Sequence, residues 1–292
     1  MKNYFLRRRK LGKKSTEGIS AASVNDIGIV RNWKNQDINY IECGPGYVFR
    51  WGYIGKLPVG SDYKTVVNTS KSIHWCANKK ESRMILQQAG VNVPRSWTAA
   101  GFAHSSYAPY LNTDTIFVLR SATHSQGKNL WVGTASEIAN TYMDYIADGY
   151  VSVLIDKVAE YRVFVCQGKA VWVAKKTPAD ANAVAWNVAQ GGRFDNVRWG
   201  DWPLQVVMEA LKAAAVSGTD FSGVDVMVDA EGVPYVLEVN SAPSQTSPYR
   251  LQCVAKAFDY IITNGKQGWE VPDVVVSWRD VIHPALLESY NE

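Results

Sequence analysis

Two apolar runs in the last third of the chain, "GVDVMVD" and "VPYVLEVN", carry Asp225 in the first and Glu238 and Asn240 at the end of the second. Glu231-Gly232 between them reads as a hairpin turn, with glycine supplying the positive φ. A two-residue loop pairs Ala230 with Val233 and sets Asp225 opposite Glu238. A four-residue loop leaves the two acids as diagonal neighbours on the same face. Alternation then groups Val224, Val226, Val228, Tyr235, Leu237 and Val239 on one apolar face, and Asp225, Met227, Val236, Glu238 and Asn240 on the other. Two carboxylates and an amide converging on one face repel unless something positive sits there. An all-oxygen donor set suits a hard cation such as magnesium, with phosphate oxygens completing its shell. By spacing alone, a solvated strand face with incidental acids explains the pattern equally well.

The elements that must hold these residues follow from periodicity and punctuation. "YRVFVCQGKAVWVAKK" reads as a hairpin around Gln167-Gly168, and "PLQVVMEALKAAAVSG" as a helix stopped by Gly218. Upstream, "NKKESRMILQQAG" is a helix stopped by Gly90, and "VNVPRSW" leaves it extended. "TIFVLRS" and "NLWVG" are strands around a turn, and "ASEIANTYMDYIADG" is a helix with a capping box read at Ser136 and Glu137. "YVSVLIDKV" is a further strand and "YRLQCVAKAFDYIITNG" a late helix. Residues 26–60 read as short strands and turns. Strands and helices alternate without a simple βαβ rhythm, which points to α+β subdomains.

No apolar run approaches the ~18 residues a membrane span needs. The four cysteines are scattered without a CxxC or Cys/His cluster, which argues against zinc and disulfides and for reduced thiols in a cytoplasm. Residues 1–14 concentrate basic side chains and hold no acid, so residues 1–25 read as a basic arm. Such an arm suits nucleic acid or an acidic protein surface, and a solvated tail is the alternative.

The stretch "FSGVDVMVDAEGVPYVLEVNSAPS" resembles the ATP-grasp carboxylate–amine ligases, nearest the RimK-type peptide and glutamate ligases. "NKKESRMILQQAGVNVP", "FVLRSATHSQGKNLWVG", "VLIDKVAEYRVFVCQGKAVWVAKK" and "WNVAQGGRF" resemble the other segments of that family, in order. The resemblance implies an α+β ATP-grasp fold with two lobes clamping a nucleotide after a small pre-ATP-grasp subdomain. The division would be a basic arm (1–25), entry subdomain (26–99), first lobe (100–155), second lobe with the metal site (156–246), and C-terminal helix and tail (247–292). It implies ATP and Mg2+, the ion held by Asp225, Glu238 and Asn240.

Arg120, Lys128, Asp156, Lys157, Glu160 and Met227 would bind the nucleotide: Arg120 on phosphate, Lys157 and Met227 beside adenine, Glu160 at the ribose. Arg162 and Asn187 would serve the transfer itself, with Gly191 and Gly192 nearby. The expected reaction joins a small-molecule or peptide carboxylate to an amine through an acylphosphate, without a protein nucleophile. Departures from the pattern are Arg120 in place of a lysine, the turn "NSAPS" in place of Pro-Gly, and a covering loop less rich in glycine. The alternatives are a catalytically degenerate nucleotide-binding ATP-grasp protein and a nucleic-acid-binding protein acting through its arm.

Overall fold

The basic N-terminus folds into a sheet. The computed structural model describes residues 1–8, 11–32, 41–42, 44–57, 64–103, 108–122, 130–142, 148–180, 184, 186 and 191–290. Strands β1 (Asn3–Arg8), β2 (Ile27–Asn32), β3 (Gly46–Trp51) and β4 (Lys64–Val67) form a parallel sheet in the order β2-β1-β3-β4. The reading of residues 1–25 as a free arm is therefore corrected, and the sheet that includes 27–67 begins at residue 3. The physical reason is the run Tyr4-Phe5-Leu6. Phe5 and Leu6 are fully buried, each contributing roughly 1.5–3 kcal/mol. Arg7 is buried as well and reaches Glu17 at 3.4 Å on helix α1 (Lys13–Ala22). A nucleic-acid role for a loose arm loses its footing.

Two capped helices lead out of this sheet. Thr69 caps α2 (Ser70–Ala77), and the Asn78 side chain caps α3 (Lys79–Gln88) by accepting from the Glu81 N–H. An antiparallel sheet follows, built from β5 (Ser96–Thr98), β6 (Ile116–Ser121), β7 (Leu130–Thr134) and β8 (Gly149–Val153) in the order β5-β8-β6-β7. One-turn helices α4 (Ala99–Gly101) and α5 (Ala135–Glu137) flank it. The capping box here is Thr134 with Glu137 rather than Ser136, because the reciprocal bonds need partners three positions apart.

Residues 154–156 link this lobe to a five-stranded antiparallel sheet. Its strands are β9 (Lys157–Cys166), β10 (Lys169–Thr177), β11 (Arg193–Asn196), β12 (Phe221–Asp229) and β13 (Pro234–Asn240), ordered β11-β10-β9-β12-β13. Helices α6 (Leu204–Ser217) and α7 (Pro248–Asn264) pack on it. One hydrophobic core fuses this sheet to the N-terminal one through aromatic contacts. Phe49 stacks on Phe258 at 4.5 Å and Trp51 on Phe221 at 5.2 Å. The β5-β8-β6-β7 lobe has its own small core around Phe102, Phe117, Leu119 and Val151.

Candidate active site

Cross-strand register in the five-stranded sheet places the chemistry in two rows. One row runs Phe194, Lys176, Glu160, Met227, Tyr235, each opposite the next. The neighbouring row runs Asn196, Ala174, Arg162, Asp225, Glu238. Every second residue of a strand shares a face, so the charged members of both rows face the same way.

Two bulges create this arrangement. The β12–β13 turn has three residues, 230–232, with Gly232 at φ 81°. Alone it would put Asp225 out of step with Glu238, but the register shifts after Asp225 and Leu237 becomes the extra residue. The face assignment made from strict alternation is corrected accordingly. Val236 is fully buried in the core, and Leu237 joins Glu238 and Asn240 on the cleft. Arg83 of α3 clamps the bulge, donating to the Val236 carbonyl at 3.1 Å and the Leu237 carbonyl at 2.5 Å. The second shift, at Val171 in β10, brings Lys176 opposite Glu160; unshifted pairing around 167–168 would have chosen Lys175.

Between this face and the β5-β8-β6-β7 lobe lies a cleft of about 290 Å³, lined by residues of both sheets. Arg162 forks Asp225 through Nε at 2.5 Å and Nη2 at 2.7 Å. Glu160 is held by Lys157 at 2.6 Å and by Lys176, whose Nζ also lies 3.8 Å from Asp225. Lys79 meets Glu238 at 3.2 Å, and the Asn240 amide donates to Glu238 at 2.8 Å.

The electrostatics follow from these contacts. Burial alone would raise the Glu238 carboxyl, but Lys79, Asn240 and Arg162 hold it well below the usual carboxylate range. Burial would likewise lower Arg162 and Lys176; Asp225 and Glu160 more than offset it and raise both. Burial lowers Lys157, against the pull of Glu160. With Arg83 and Arg120 added from the cleft wall, six cations surround three carboxylates among the described residues. The surplus of positive charge suits a polyanion.

The expected nucleotide and metal residues fall as follows. Arg120, Lys157, Glu160, Met227, Asp225, Glu238 and Asn240 all line the cleft, and Arg162 stands beside them on Asp225. Asp156 sits in the link between the lobes and is not among the lining residues. Lys128 and Asn187 lie outside the described residues. Asp225, Glu238 and Asn240 offer oxygen donors to one cleft. No group of three or more His, Cys, Asp or Glu among the described residues is placed to hold an ion unaided. Apolar surface from Ile155, Met227 and Leu237, with Trp186, whose ring lies 4.6 Å from Lys157 Nζ, suits a flat base.

Sequence reasoning did not single out Lys176 or Arg83. The bulge hides Lys176. Arg83 sits in a helix whose polar residues look like a solvated face, yet it is buried against β13.

A family model described as a RimK-like ATP-grasp domain matches residues 76–257. A probable alpha-L-glutamate ligase of Haemophilus influenzae is 27% identical over 210 residues, covering 68% of this chain and 67% of its own. A tetrahydromethanopterin:alpha-L-glutamate ligase of Methanosarcina acetivorans is 25% identical over 229 residues, covering 68% and 69%. Among solved structures, the ATP-grasp ligase PsnB in complex with a phosphomimetic variant of its minimal precursor, Mg and ADP superposes with a TM-score of 0.58. That match has 13% identity and covers 89% of this chain and 99% of that one.

Proposed function

Because the chain belongs to the RimK-like ATP-grasp family, we propose that it is an ATP- and magnesium-dependent carboxylate–amine ligase, forming an amide or peptide bond. The observation that carries this reading is the single cleft in which Asp225, Glu238 and Asn240 meet Lys79, Arg120, Lys157 and Lys176. Phosphoryl transfer needs positioning and charge neutralisation more than a protein nucleophile. Lys157, Lys176 and Arg120 supply cations for the phosphates. Asp225, Glu238 and Asn240 would hold magnesium, which supplies further neutralisation across the phosphate oxygens.

A carboxylate oxygen of the acid substrate attacks the γ-phosphorus as the bond to ADP breaks. The amine nitrogen then attacks the acyl carbon, phosphate leaves, and the nitrogen gives up its proton. Arg162, fixed by Asp225, would face the transferred phosphoryl group or the substrate carboxylate. Glu160 holds Lys157 and Lys176 in place, beside its expected contact with the ribose. The names of the relatives favour an amino acid such as glutamate as one substrate, and the peptide complex of PsnB keeps peptides in view.

The test incubates the protein with ATP, magnesium and a panel of amines and carboxylates that includes L-glutamate. Phosphate release and amide product are measured together. Glu238→Gln is expected to abolish turnover while circular dichroism stays unchanged. A fully active variant would sink the metal assignment, and wild-type protein that binds no nucleotide would sink the ligase reading.

A further inference from the structure

The row next to Arg162 and Asp225 on the sheet runs Trp172, Phe164, Gly223, Asn240. At its β10 end lies Arg250, in the first turn of α7. The guanidinium carbon sits 5.3 Å from the Trp172 ring centre and 5.7 Å from that of Phe194. Ala174, fully buried, separates Trp172 from Lys176 along the strand. Phe194 is shared: Arg162 lies 4.8 Å from the same ring centre.

Arg250 is 7% exposed, and its Nε and Nη1 have no hydrogen-bond partner among the described residues. The carboxylate that acts on it electrostatically, Asp195, is occupied by Thr177 at 2.7 Å and Arg193 at 3.1 Å and makes no ion pair with it. Two arginines thus lie against one phenyl ring. One is neutralised by a bidentate carboxylate, and the other makes no ion pair among the described residues. Stacking on aromatic rings compensates a cation in part, but buried guanidinium donors ordinarily find acceptors.

Other buried polar atoms also lack partners among the described residues. Trp172 Nε1, under the guanidinium, is unpaired, as are both amide atoms of Gln245 in the connection from β13 to α7. The backbone of Gln245 is fixed, since its N–H donates to Ser15 Oγ at 3.0 Å and its carbonyl accepts from the same hydroxyl at 3.1 Å. No acid occupies the first turn of α7, and its N-cap Ser247 makes no side-chain capping bond.

From this juxtaposition we propose that Arg250 is a specificity-determining residue that receives a carboxylate of the substrate beside the phosphoryl-transfer centre. The proposal rests on the ligase reading above. A planar carboxylate matches the guanidinium donors, supplies the missing negative charge between Arg250 and Arg162, and leaves the nucleotide contacts untouched. A purely structural stack on Trp172 and Phe194 would need only the cation and its stem.

The test titrates the full chain with glutarate, L-glutamate and the neutral diamide glutaramide, each with and without Mg–ADP. The wild type is expected to bind the two carboxylates and not glutaramide. Arg250→Gln should weaken carboxylate binding at least about tenfold, the cost of a charge-assisted pair, with Mg–ADP affinity unchanged. Arg250→Lys, which keeps the charge and the stem, should recover part of the loss.

Carboxylate binding that is equal in wild type and both variants overturns the proposal and leaves Arg250 a packing residue. Failure of the wild type to prefer carboxylates over glutaramide in either state overturns it without any variant. Loss of Mg–ADP binding in the wild type counts instead against the ligase reading.

Discussion

Lys175 and Lys176 are neighbours in one strand with opposite fates, one exposed and one buried against Glu160. If Lys176 serves the phosphates, Lys176→Met should lower kcat/KM about a hundredfold, the usual effect of removing one charge-stabilising donor. Lys175→Met should leave it within about twofold, because surface substitutions rarely disturb more. Steady-state phosphate release on both variants decides the matter, and a larger loss at Lys175 would mean that Lys176 does not serve the phosphates. The acids at this scale were legible beforehand. Asp225, Glu238 and Asn240 could be picked out because polar groups at a strand end stand out in an apolar run, although the bulge that brings Asp225 opposite Glu238 could not. Lys176 was not legible, since a one-residue slip reverses every side chain of a strand and nothing in "VWVAKK" announces the slip.

At the scale of elements, Gly223 and His283 each tie a strand to what packs on it. Gly223 lies opposite Asn240, and a Cβ there would meet Pro243 Cβ at 2.6 Å and Arg162 Cδ at 3.4 Å. Gly223→Ala should therefore displace the turn after β13 and tilt Arg162. It should cost roughly 1–3 kcal/mol of stability, as overpacking does, with activity falling alongside; urea unfolding and turnover report the two. No change in either would show that the turn yields freely.

His283 holds the C-terminal segment to β10. Its backbone N–H donates to Ala170, and its ring packs edge-on to Tyr260 and Trp269. Burial, aided by Lys169, lowers its pKa from 6.5 to about 3. The native state thus excludes a proton that the unfolded chain binds below about pH 6.5. Its stabilisation is complete above that pH and is lost as pH falls toward 3, by about 1.4 kcal/mol per pH unit. His283→Gln should remove that slope between pH 6.5 and 5 in urea titrations, and an unchanged slope would place the titration elsewhere. Helices α3, α6 and α7 and the hairpins β9–β10 and β12–β13 were readable from period and glycine stops, whereas α1 and α2 were not. The docking of residues 278–286 was not, because three-residue helical turns carry no periodic signal.

The two halves of the cleft differ in what supports them. The five-stranded sheet shares one continuous core with the N-terminal sheet, from Phe5 and Trp51 through Phe221 to Phe258. Among the described residues, the β5-β8-β6-β7 lobe has a separate, smaller core of seven buried residues. The basic N-terminus belongs to the larger body, which composition could not reveal; a count of cations does not register that Phe5 and Leu6 sit in an inner strand. Regions with fewer buried apolar contacts open at lower free energy, so β6 and β8 should exchange amide hydrogens faster than β9 and β12.

A ligand that touches both sheets stabilises the native state by mass action, about 2.7 kcal/mol at a hundred times its Kd. Mg–ADP should therefore slow exchange in β6 and β8 selectively, because the lobe that opens first gains most from a bridge to the lobe that does not. ADP or magnesium alone should do less, since the carboxylates and the phosphates each lack the other. Hydrogen-exchange mass spectrometry on the full chain reads this directly. Protection that rises equally in both sheets, or only in β9 and β12, would mean that the nucleotide engages one lobe and that the cleft is not where the two halves meet.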